Sequence, residues 1–402
     1  MSQNSQSFTF EQSVPASPEA VYYAFTNGTA LREWLCDVAT TAPREGGRCY
    51  LAWNDGYYSS GEFTSLTPGE EVAFTWGGRG EPAISSVRVT LAPQGDGTHV
   101  RVVHDGVGSG EGWEQIVPAL QQAWSFSLEN LRSIFDSGAD LRFTQRPMLG
   151  ITISDFNADI AARMGVPVSE GICLDGVVPE MGAGAAGLRD GDVIVAINER
   201  AVVDWPSLTS ALQGQRAGDE VQVTFYRGPE KREVRMKLSG RPLPPMPDTV
   251  EELADAVRDR YAVIDSQLSE LFDGVTEAQS ARRVAPDAWS AREVLAHLIH
   301  SERGWQAWMA DLVNGQEASY DDWGNNLQTR IEATLDAFPT SGELLEELRR
   351  LNAETAAFVS HLPDTFVQER KASYWRMAYQ LLEPPHHLRT HMEQMREAIG
   401  AA

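Results

Sequence analysis

The stretch GAGAAGLRDGDVIVAINERAVVDW, Gly182 to Trp205, decides how the chain divides. Ala185 to Leu188 predicts a short helix that ends in a tight turn, and Gly191-Asp192 then turns the chain into a strand from Val193 to Asn198. LGITIS lies upstream of this stretch and EVQVTFYRG lies downstream. Together they predict a small, mostly β module over residues 147–240, with a module-sized piece on each side.

AAGLRDGDVIVAIN and its flanking segments resemble the PDZ peptide-binding module, in the bacterial form found beside HtrA-type proteases. The resemblance implies strand addition, in which an extended peptide pairs with an exposed sheet edge and its carboxylate enters a nest of backbone amides. It implies a carboxylate loop at Leu149, Gly150 and Ile151. The edge strand would continue through Thr152 and Ile153, and the apolar pocket wall would consist of Leu208 and Leu212.

This predicted groove has two interpretations. In the first, it captures the C-terminus or an internal peptide of a partner protein. In the second, a neighbouring segment of the same chain fills the groove, and the module acts as a spacer. The residues leave both open.

Composition limits the function classes. The formal net charge of −24 over 402 residues disfavours nucleic acid and anionic membrane surfaces, because their attraction needs clustered Lys and Arg. No apolar run approaches the roughly 20 residues of a membrane span. The N-terminus has neither a basic start nor an apolar core, so we expect a cytoplasmic protein without a secretory signal. Cys36, Cys49 and Cys173 have no CxxC spacing and are expected as buried thiols.

The first piece, residues 7–138, combines a short helix, several strands and a long closing helix. Ser17-Pro18 predicts an N-cap followed by proline at the first helical position. Alternating apolar residues predict strands around Val72–Trp76 and Val87–Leu91, and THVRVVHDG adds another. Apolar residues then recur at helical spacing from Ile116 to Phe135. This order predicts an α+β grip around an interior.

PASPEAVYYAFTNGTALREWL, REGGR, GDGTHVRVVHDG and the pair Gly112-Trp113 resemble the START-like (SRPBCC) superfamily, in the branch named for activators of the heat-shock protein 90 ATPase. The resemblance implies a helix-grip fold that holds an apolar small molecule between the sheet and the long helix. The candidate cavity residues are Trp34, Trp53, Phe63, Phe74, Trp76 and Trp113. The alternative is that these aromatic side chains simply fill the core. His99 and His104 have no nucleophile within sequence reach, so we expect binding here and not catalysis.

The third piece, residues 248–400, follows the proline-rich SGRPLPPMPD, which we interpret as a stiff linker. Apolar residues at steps of three and four predict a long helix from Val250 to Leu271. Ser290 and Glu293 form a predicted capping box before the next helix, and further helices are expected over Leu344–Val359 and after Pro384-Pro385. The pattern predicts an all-α antiparallel bundle of the four-helix type, with at least four helices.

Three histidines of this bundle are candidate metal ligands. His297 lies in the apolar stretch VLAHLI, and His387 and His391 lie one turn apart on the last helix, so both project from one face. Imidazoles bind Zn²⁺, Ni²⁺ or Fe²⁺, and three ligands leave one position open for water or substrate. His300 is close enough in sequence to be a rival ligand. Spacing alone leaves open whether these histidines bind metal or are hydrogen-bonded core groups.

APDAWSAREVLAHLIHSERGW followed by HLRTHMEQM resembles the DinB family and its YfiT-like thiol-transferase relatives. In that family a histidine of the second helix and an HxxxH pair of the last helix bind a divalent metal, which implies His297, His387 and His391 here. Some relatives are S-transferases or isomerases that use a low-molecular-weight thiol such as mycothiol or bacillithiol. The resemblance therefore implies a divalent ion, Zn or Ni, whose open position takes the sulfur as thiolate. The sequence shows no clear general base, since Glu302 is equally a solvated helix charge.

The leading hypothesis is a metal- and thiol-dependent transferase or isomerase in detoxification or stress response. Its other two modules would recognise an apolar ligand and a peptide. The alternative is a non-catalytic scaffold or sensor that binds an apolar small molecule and protein C-termini. The oligomeric state stays open, with a homodimer as one option.

Overall fold

The structure is a computed structural model that describes residues 5–286, 288–317, 327–383 and 386–400, apart from the side chains of His386 and His387. The chain divides into two compact units. Residues 141–243 form the smaller unit, and residues 1–140 together with 244–402 form the larger one. The first and third pieces of the sequence therefore share one unit, which the middle piece interrupts in the sequence.

The N-terminal part of the larger unit is an antiparallel sheet of seven described strands in the order 1-7-6-5-4-3-2. The strands are β1 (Gln6–Val14), β2 (Val38–Thr41), β3 (Arg48–Ala52), β4 (Tyr58–Thr67), β5 (Glu71–Gly78), β6 (Ser85–Gln94) and β7 (Gly97–Val107). The helices are α1 (Pro18–Thr26), α2 (Gly28–Trp34) and α3 (Ile116–Asp136). The predicted α+β helix grip is confirmed.

Local sequence chemistry explains where helix α1 begins and which side chains of the sheet are buried. Helix α1 starts as predicted because Ser17 Oγ accepts the Ala20 amide and proline takes the first helical position. In the sheet, Val72 pairs with Val89 across β5 and β6, and both side chains are buried. Helix α3 lies against β1 and covers this apolar face with its buried residues Leu120, Trp124, Leu128, Leu131 and Ile134.

The smaller unit contains a second antiparallel sheet in the order 13-12-10-9-8, with β11 paired to β10. Its strands are β8 (Ile151–Ser154), β9 (Ile172–Val177), β10 (Asp192–Ile197), β11 (Arg200–Ala201), β12 (Glu220–Arg227) and β13 (Glu230–Lys237). Its helices are α4 (Leu141–Thr144), α5 (Ala158–Met164), α6 (Gly182–Ala185) and α7 (Trp205–Ala211). Strand β8 is therefore an edge strand, as predicted.

The central stretch folds with one shift from the prediction. Helix α6 occupies Gly182–Ala185 and not Ala185–Leu188, because Gly187 adopts a φ of +83° and ends it. Leu188 then turns into the core, and only 2% of it is exposed. The next turn is fixed by the fully buried Asp192, whose carboxylate accepts Arg227 Nε at 2.8 Å and Nη2 at 2.7 Å. This ion pair joins β10 to β12.

The C-terminal part of the larger unit is helical. Its helices are α8 (Val250–Leu271), α9 (Glu277–Ser280), α10 (Ala291–Val313), α11 (Leu327–Ala337), α12 (Ser341–Ser360), α13 (Asp364–Glu369), α14 (Lys371–Leu382) and α15 (His386–Gly400). The predicted capping box of Ser290 and Glu293 starts α10. The predicted start of the last helix at Pro384-Pro385 lies outside the described residues. No described helix has the length and apolar character needed to cross a bilayer.

The described part of the bundle contains two apolar clusters. One cluster contains Leu268, Leu295 and Met395, and therefore joins α8, α10 and α15. The other contains Val257 and Met377, and joins α8 to α14. The proline-rich segment before α8, which was predicted to be a stiff linker, contacts the bundle at its end, where the Tyr374 hydroxyl donates a hydrogen bond to the Pro247 carbonyl at 3.1 Å. That segment is therefore fixed to the bundle.

Helix α14 and the loop after α10 pack against the N-terminal part, and we call this contact the docking face. Its first cluster surrounds Glu317, whose side chain is 4% exposed. Arg376 donates to both of its carboxylate oxygens, at 2.7 and 2.9 Å, and Arg32 of α2 lies 3.4 Å away. The Glu317 amide donates to Thr29 Oγ1 at 3.1 Å, and its carboxylate accepts Trp308 Nε1 at 2.8 Å. One buried carboxylate thus ties the bundle to α2.

A second cluster of the docking face surrounds Glu33 of α2. The Ser373 hydroxyl donates to the Glu33 carboxylate and accepts Arg370 Nη2 at 2.9 Å. Burial raises the pKa of the Glu33 carboxyl, and Arg370 and Ser373 oppose this rise only in part. At the end of α3, Lys371 Nζ donates to the carbonyls of Phe135 and Asp136, where a cation is favoured by the helix dipole.

Candidate metal centre and binding grooves

Two of the three predicted metal ligands lie side by side in the bundle. His297 of α10 and His391 of α15 are both half-buried, and their ring centroids are 4.8 Å apart at an interplanar angle of 62°. Ligand bonds of about 2.0–2.1 Å bring imidazoles of one ion into this range of mutual contact. The separation of these two rings is compatible with two ligands of one ion.

Neighbouring side chains hold these two rings in place. Trp289 packs against His297 with centroids 5.1 Å apart and stacks on His391 at 6.5 Å. His391 Nδ1 lies 3.0 Å from Gln394 Oε1. An amide oxygen only accepts hydrogen bonds, so Nδ1 carries the proton and Nε2 keeps its lone pair. This is the tautomer that a metal ligand binding through Nε2 requires.

The other two candidate metal ligands are His387 and His300. The His387 side chain lies outside the described residues, so its role as the third ligand stays a prediction. Among the side chains that the structure describes, no cluster of three His, Cys, Asp or Glu residues could hold a metal. The rival ligand His300 is turned elsewhere, because its Nε2 lies 2.8 Å from the guanidinium of Arg330. That neighbouring cation disfavours a metal at His300.

Glu302 is not a solvated helix charge. Only 8% of the residue is exposed, and its Oε1 accepts hydrogen bonds from Tyr261 at 2.8 Å and from Thr355. Burial raises the pKa of the Glu302 carboxyl, while the bonds from Thr355 and Tyr261 and the charge of Arg260 partly oppose this rise. The bundle therefore contains a buried carboxyl that takes up protons more readily than a free one.

Glu302→Gln is expected to flatten the pH dependence of stability. The raised folded pKa means that the contribution of Glu302 to stability is fully present below its ordinary pKa of 4.5 and is lost as pH rises through the folded value. Glutamine keeps an acceptor for Tyr261 but does not titrate. Urea unfolding of the variant across this pH range should therefore show a smaller loss of stability than the wild type. Glu346→Gln, at an exposed position, serves as the control. If stability changes with pH equally in the wild type and both variants, the raised pKa of Glu302 is contradicted.

The predicted carboxylate loop contains a glycine in the left-handed region of the backbone. Gly150 adopts a φ of +75°, and a Cβ there would overlap the side chain of Met181. Among the described residues, neither the Leu149 nor the Gly150 amide donates a hydrogen bond to a protein acceptor. The edge strand follows, with Thr152 and Ile153 exposed. Two consecutive amides and an open strand edge are what the end of an extended peptide would need.

The apolar residues of the predicted carboxylate loop and pocket wall divide into core and surface. Leu149 and Leu208 are buried in the apolar cluster of the smaller unit, 5% and 2% exposed, while Ile151 and Leu212 pack against that cluster and stay half-buried. Leu212 lies just beyond the end of α7. Sequence reasoning missed Trp205, which is 55% exposed at the first position of α7. The sequence could have indicated Trp205, because it precedes Leu208 by three residues and therefore lies on the same face of the helix.

The candidate cavity residues of the N-terminal part lie in the interior. Trp34, Phe63, Phe74, Trp76 and Trp113 are buried, and Trp53 is half-buried. The ring centroids of Phe63 and Phe74 are 6.2 Å apart, those of Phe74 and Trp76 are 6.3 Å apart, and those of Trp53 and Trp76 are 6.1 Å apart. These contacts favour the core-filling interpretation, and the apolar ligand stays a prediction.

His104 has a serine in spatial reach that the sequence did not reveal. Ser85 Oγ lies 2.7 Å from His104 Nε2, and Trp124 Nε1 donates to Nδ1 at 3.1 Å. An indole N–H only donates, so Nδ1 accepts and Nε2 carries the proton toward Ser85. Burial lowers the pKa of His104 to about 4, which keeps the ring neutral. In this arrangement His104 donates to Ser85 and does not accept its proton.

Family models match three separate segments of the chain. The model described as activator of Hsp90 ATPase homolog 1-like protein matches residues 15–136. The PDZ domain model matches residues 147–238, and the DinB superfamily model matches residues 260–395. The three matches follow the order of the three predicted modules.

Curated relatives share a short segment with this chain. A probable periplasmic serine protease do/HhoA-like of Haemophilus influenzae is 32% identical over 94 residues, which cover 23% of this chain and 20% of that protein. The serine protease Do-like HtrA of Lactococcus lactis subsp. cremoris is 33% identical over 99 residues, covering 23% and 24%. The chain thus spans a fifth to a quarter of the length of these relatives.

Two solved structures are similar to part of the chain. The Aha1 dimer from Colwellia psychrerythraea is 20% identical, with a TM-score of 0.29, and the match covers 33% of this chain and 96% of that one. CalU16 from Micromonospora echinospora is 26% identical, with a TM-score of 0.27, and the match covers 31% and 73%. The family models by themselves show that the chain carries a START-like domain of the Hsp90 ATPase activator type, then a PDZ domain, then a DinB-superfamily domain.

Proposed function

We propose that the DinB-superfamily domain is a divalent-metal centre that uses a low-molecular-weight thiol in an S-transfer or isomerisation reaction. The observation that carries the proposal is the pair His297 and His391, whose rings meet 4.8 Å apart on two different helices. His387, one turn before His391, is the proposed third ligand. The metal is proposed as Zn or Ni, and the thiol as a compound of the mycothiol or bacillithiol type.

The side chains around the two rings have separate tasks in this proposal. Trp289 holds both rings by stacking, and Gln394 keeps the proton of His391 on Nδ1. When bound, a divalent ion would supply Lewis acidity that lowers the pKa of a thiol at its open position. Glu302 lies on the same helix as His297 and is available, through its raised pKa, to hold a proton inside the bundle.

His391→Ala is expected to reduce metal loading from about one equivalent to near zero. The test is elemental analysis of purified full-length protein after Zn²⁺ or Ni²⁺ loading and removal of free ion. His297→Ala and His387→Ala should behave like His391→Ala, because three ligands are needed to hold the ion. His361→Ala changes an exposed histidine of the same domain and should load like the wild type. Loading below one equivalent in the wild type, or loading indifferent to these substitutions, would remove the proposal.

The PDZ domain is proposed to capture protein C-termini or internal peptides, as one recognition element of the same protein. The supporting observation is the pair of unengaged amides at Leu149 and Gly150 beside the open edge of β8. The START-like domain is proposed to hold an apolar small molecule. If the bundle proves to hold no metal, these two elements alone would support the scaffold or sensor alternative. The cytoplasmic location, the homodimer and the exclusion of nucleic acid stay predictions.

Ile151→Asp is expected to abolish binding of apolar C-terminal peptides. The side chain of Ile151 packs against the apolar cluster beside the nest, so a carboxylate there would repel both the terminal residue and its carboxylate. Fluorescence polarisation with a library of labelled C-terminal peptides measures this. Thr152→Asp adds the same charge on the opposite face of β8 and should retain more binding. The absence of any binder in the library would contradict peptide capture.

A further inference from the structure

An uncompensated carboxylate lies among aromatic rings in the START-like domain. Glu81 Oε1 accepts a hydrogen bond from the Tyr57 hydroxyl at 2.6 Å and from Trp76 Nε1 at 3.2 Å. Trp76 Nε1 also donates to the Tyr57 oxygen at 3.0 Å. One oxygen of the carboxylate is therefore fixed by a phenol and an indole.

The other oxygen of this carboxylate has no partner. Glu81 Oε2 is shielded from solvent and accepts no hydrogen bond from any described residue. Among the described ion pairs of the chain, none involves Glu81. Leaving a buried acceptor unsatisfied destabilises the protein, and does so more strongly for a charged group. A donor from outside the chain would remove that destabilisation.

The surroundings of Glu81 favour a positive donor. Trp53, Tyr57 and Trp76 contact one another, with ring centroids 5.4 to 6.5 Å apart. Tyr57 and Trp76 turn their O–H and N–H edges toward Oε1, so the unpartnered oxygen of the carboxylate is the group that a positive donor would meet. Gly78 makes room for the carboxylate, since a Cβ at this position would overlap both Glu81 and the Tyr57 hydroxyl. Trp53, Tyr57 and Glu81 are half-buried, which places this cluster at an edge of the interior that borders solvent.

The residues that the structure describes do not provide the missing charge. His104 contacts Trp76 with centroids 5.6 Å apart, but it is neutral, and both of its nitrogens are used by Ser85 and Trp124. Arg79 is close in sequence, but its guanidinium donates to the Gly56 carbonyl at 2.8 Å. The net charge of −24 also raises the local concentration of cations near the protein.

We propose that this site binds an organic ammonium ion, a small aromatic or aliphatic amine whose N–H group donates to Glu81 Oε2. The amine would place its charge beside Tyr57 and Trp76 and its apolar part against Trp53. This assignment rests on the ligand-binding part of the proposed function and makes it specific, since the ligand then carries a positive charge. It is independent of the metal centre in the bundle.

Calorimetric titration of the full-length protein with benzylamine and with benzyl alcohol tests the proposal. These probes share size and ring but differ in charge. The wild type should bind benzylamine at least tenfold more tightly than benzyl alcohol. Glu81→Gln keeps an acceptor oxygen for Tyr57 and should weaken benzylamine binding at least tenfold. Glu70→Gln, at an exposed position of the same domain, should leave it unchanged.

The possible results distinguish failure of the ammonium assignment from failure of small-molecule binding as a whole. Equal affinity for both probes, or benzylamine binding unchanged by Glu81→Gln, would overturn the ammonium assignment and leave a neutral-ligand site standing. No binding of either probe would overturn both the ammonium assignment and small-molecule binding at this site. The comparison of the two probes on the wild type does not depend on the variant, so a variant that fails to fold leaves the test intact.

Discussion

Glu317→Gln is expected to lower the free energy of unfolding of the larger unit by about 3–5 kcal/mol, the usual range for removing one partner of a buried ion pair. The substitution leaves Arg376 and Arg32 without their carboxylate in a contact that excludes water. Urea unfolding followed by tryptophan fluorescence reports this unit, because every tryptophan that the structure describes, except Trp205, lies within it.

The control for Glu317 is Glu270→Gln, which changes an exposed carboxylate of α8 and should alter stability by less than about 0.5 kcal/mol. The double variant Glu317→Gln/Arg376→Gln should lose less stability than the two single variants lose together. In the double variant neither a buried carboxylate nor a buried guanidinium is left without its partner from this pair. Additive losses would show that the pair is not coupled. If Glu317→Gln destabilises the protein no more than the control does, the role of Glu317 in the docking face is contradicted.

The docking face should also respond to acid. Burial alone would raise the pKa of the Glu317 carboxyl, but Arg376, Trp308 and Arg32 hold it below its ordinary value. A depressed folded pKa contributes stability that is present above the unfolded pKa and is lost as pH falls through the folded value. Glu317 and Glu302 therefore act in opposite directions as the pH changes.

Gly138→Ala is expected to destabilise the larger unit by about 2–4 kcal/mol, combining left-handed backbone strain with overpacking. Gly138 has a φ of +79°, and a Cβ there would overlap the carbonyl of Lys371 at the start of α14. Gly274→Ala is the matched control, because Gly274 has a φ of +71° with nothing within 4 Å of its position for a Cβ. The same urea titration measures both. Equal losses in the two variants would show that α14 does not dock on the end of α3.

The sequence predicted the elements whose signals are local. Ser17 and Ser290 cap helices where expected, because an N-cap needs only a side chain and the amides two or three residues ahead. The edge strand and the long helix α3 were also predicted, since both have one buried face and a clear period. These features need no knowledge of distant residues.

The sequence did not predict the contacts between distant segments. Helix α14 was missed because it packs against both the bundle core and the N-terminal part, so its apolar residues do not form a single stripe. Glu317 and Arg376 are 59 residues apart, and Glu33 and Ser373 are 340 apart. Each of these polar residues is indistinguishable in sequence from a solvated surface residue, and only the fold pairs them.

The candidate site divides in the same way. His297 and His391 could be named because a family pattern places them, while their stacking on Trp289 is visible only in the structure. The burial of Glu302 depends on Tyr261 and Thr355, which come from two other helices. The unpartnered oxygen of Glu81 likewise depends on a phenol 24 residues earlier in the chain.

Cobalt(II) absorption spectroscopy tests the thiol-binding metal centre most directly. Full-length protein loaded with one equivalent of Co²⁺ should show the d–d bands of a histidine-bound ion, and a small thiol should add a sulfur-to-cobalt charge-transfer band. Both signals should be absent in His391→Ala and unchanged in His361→Ala. A wild-type spectrum that matches free aqueous Co²⁺, or histidine-bound Co²⁺ that never responds to thiol, would contradict the proposed chemistry.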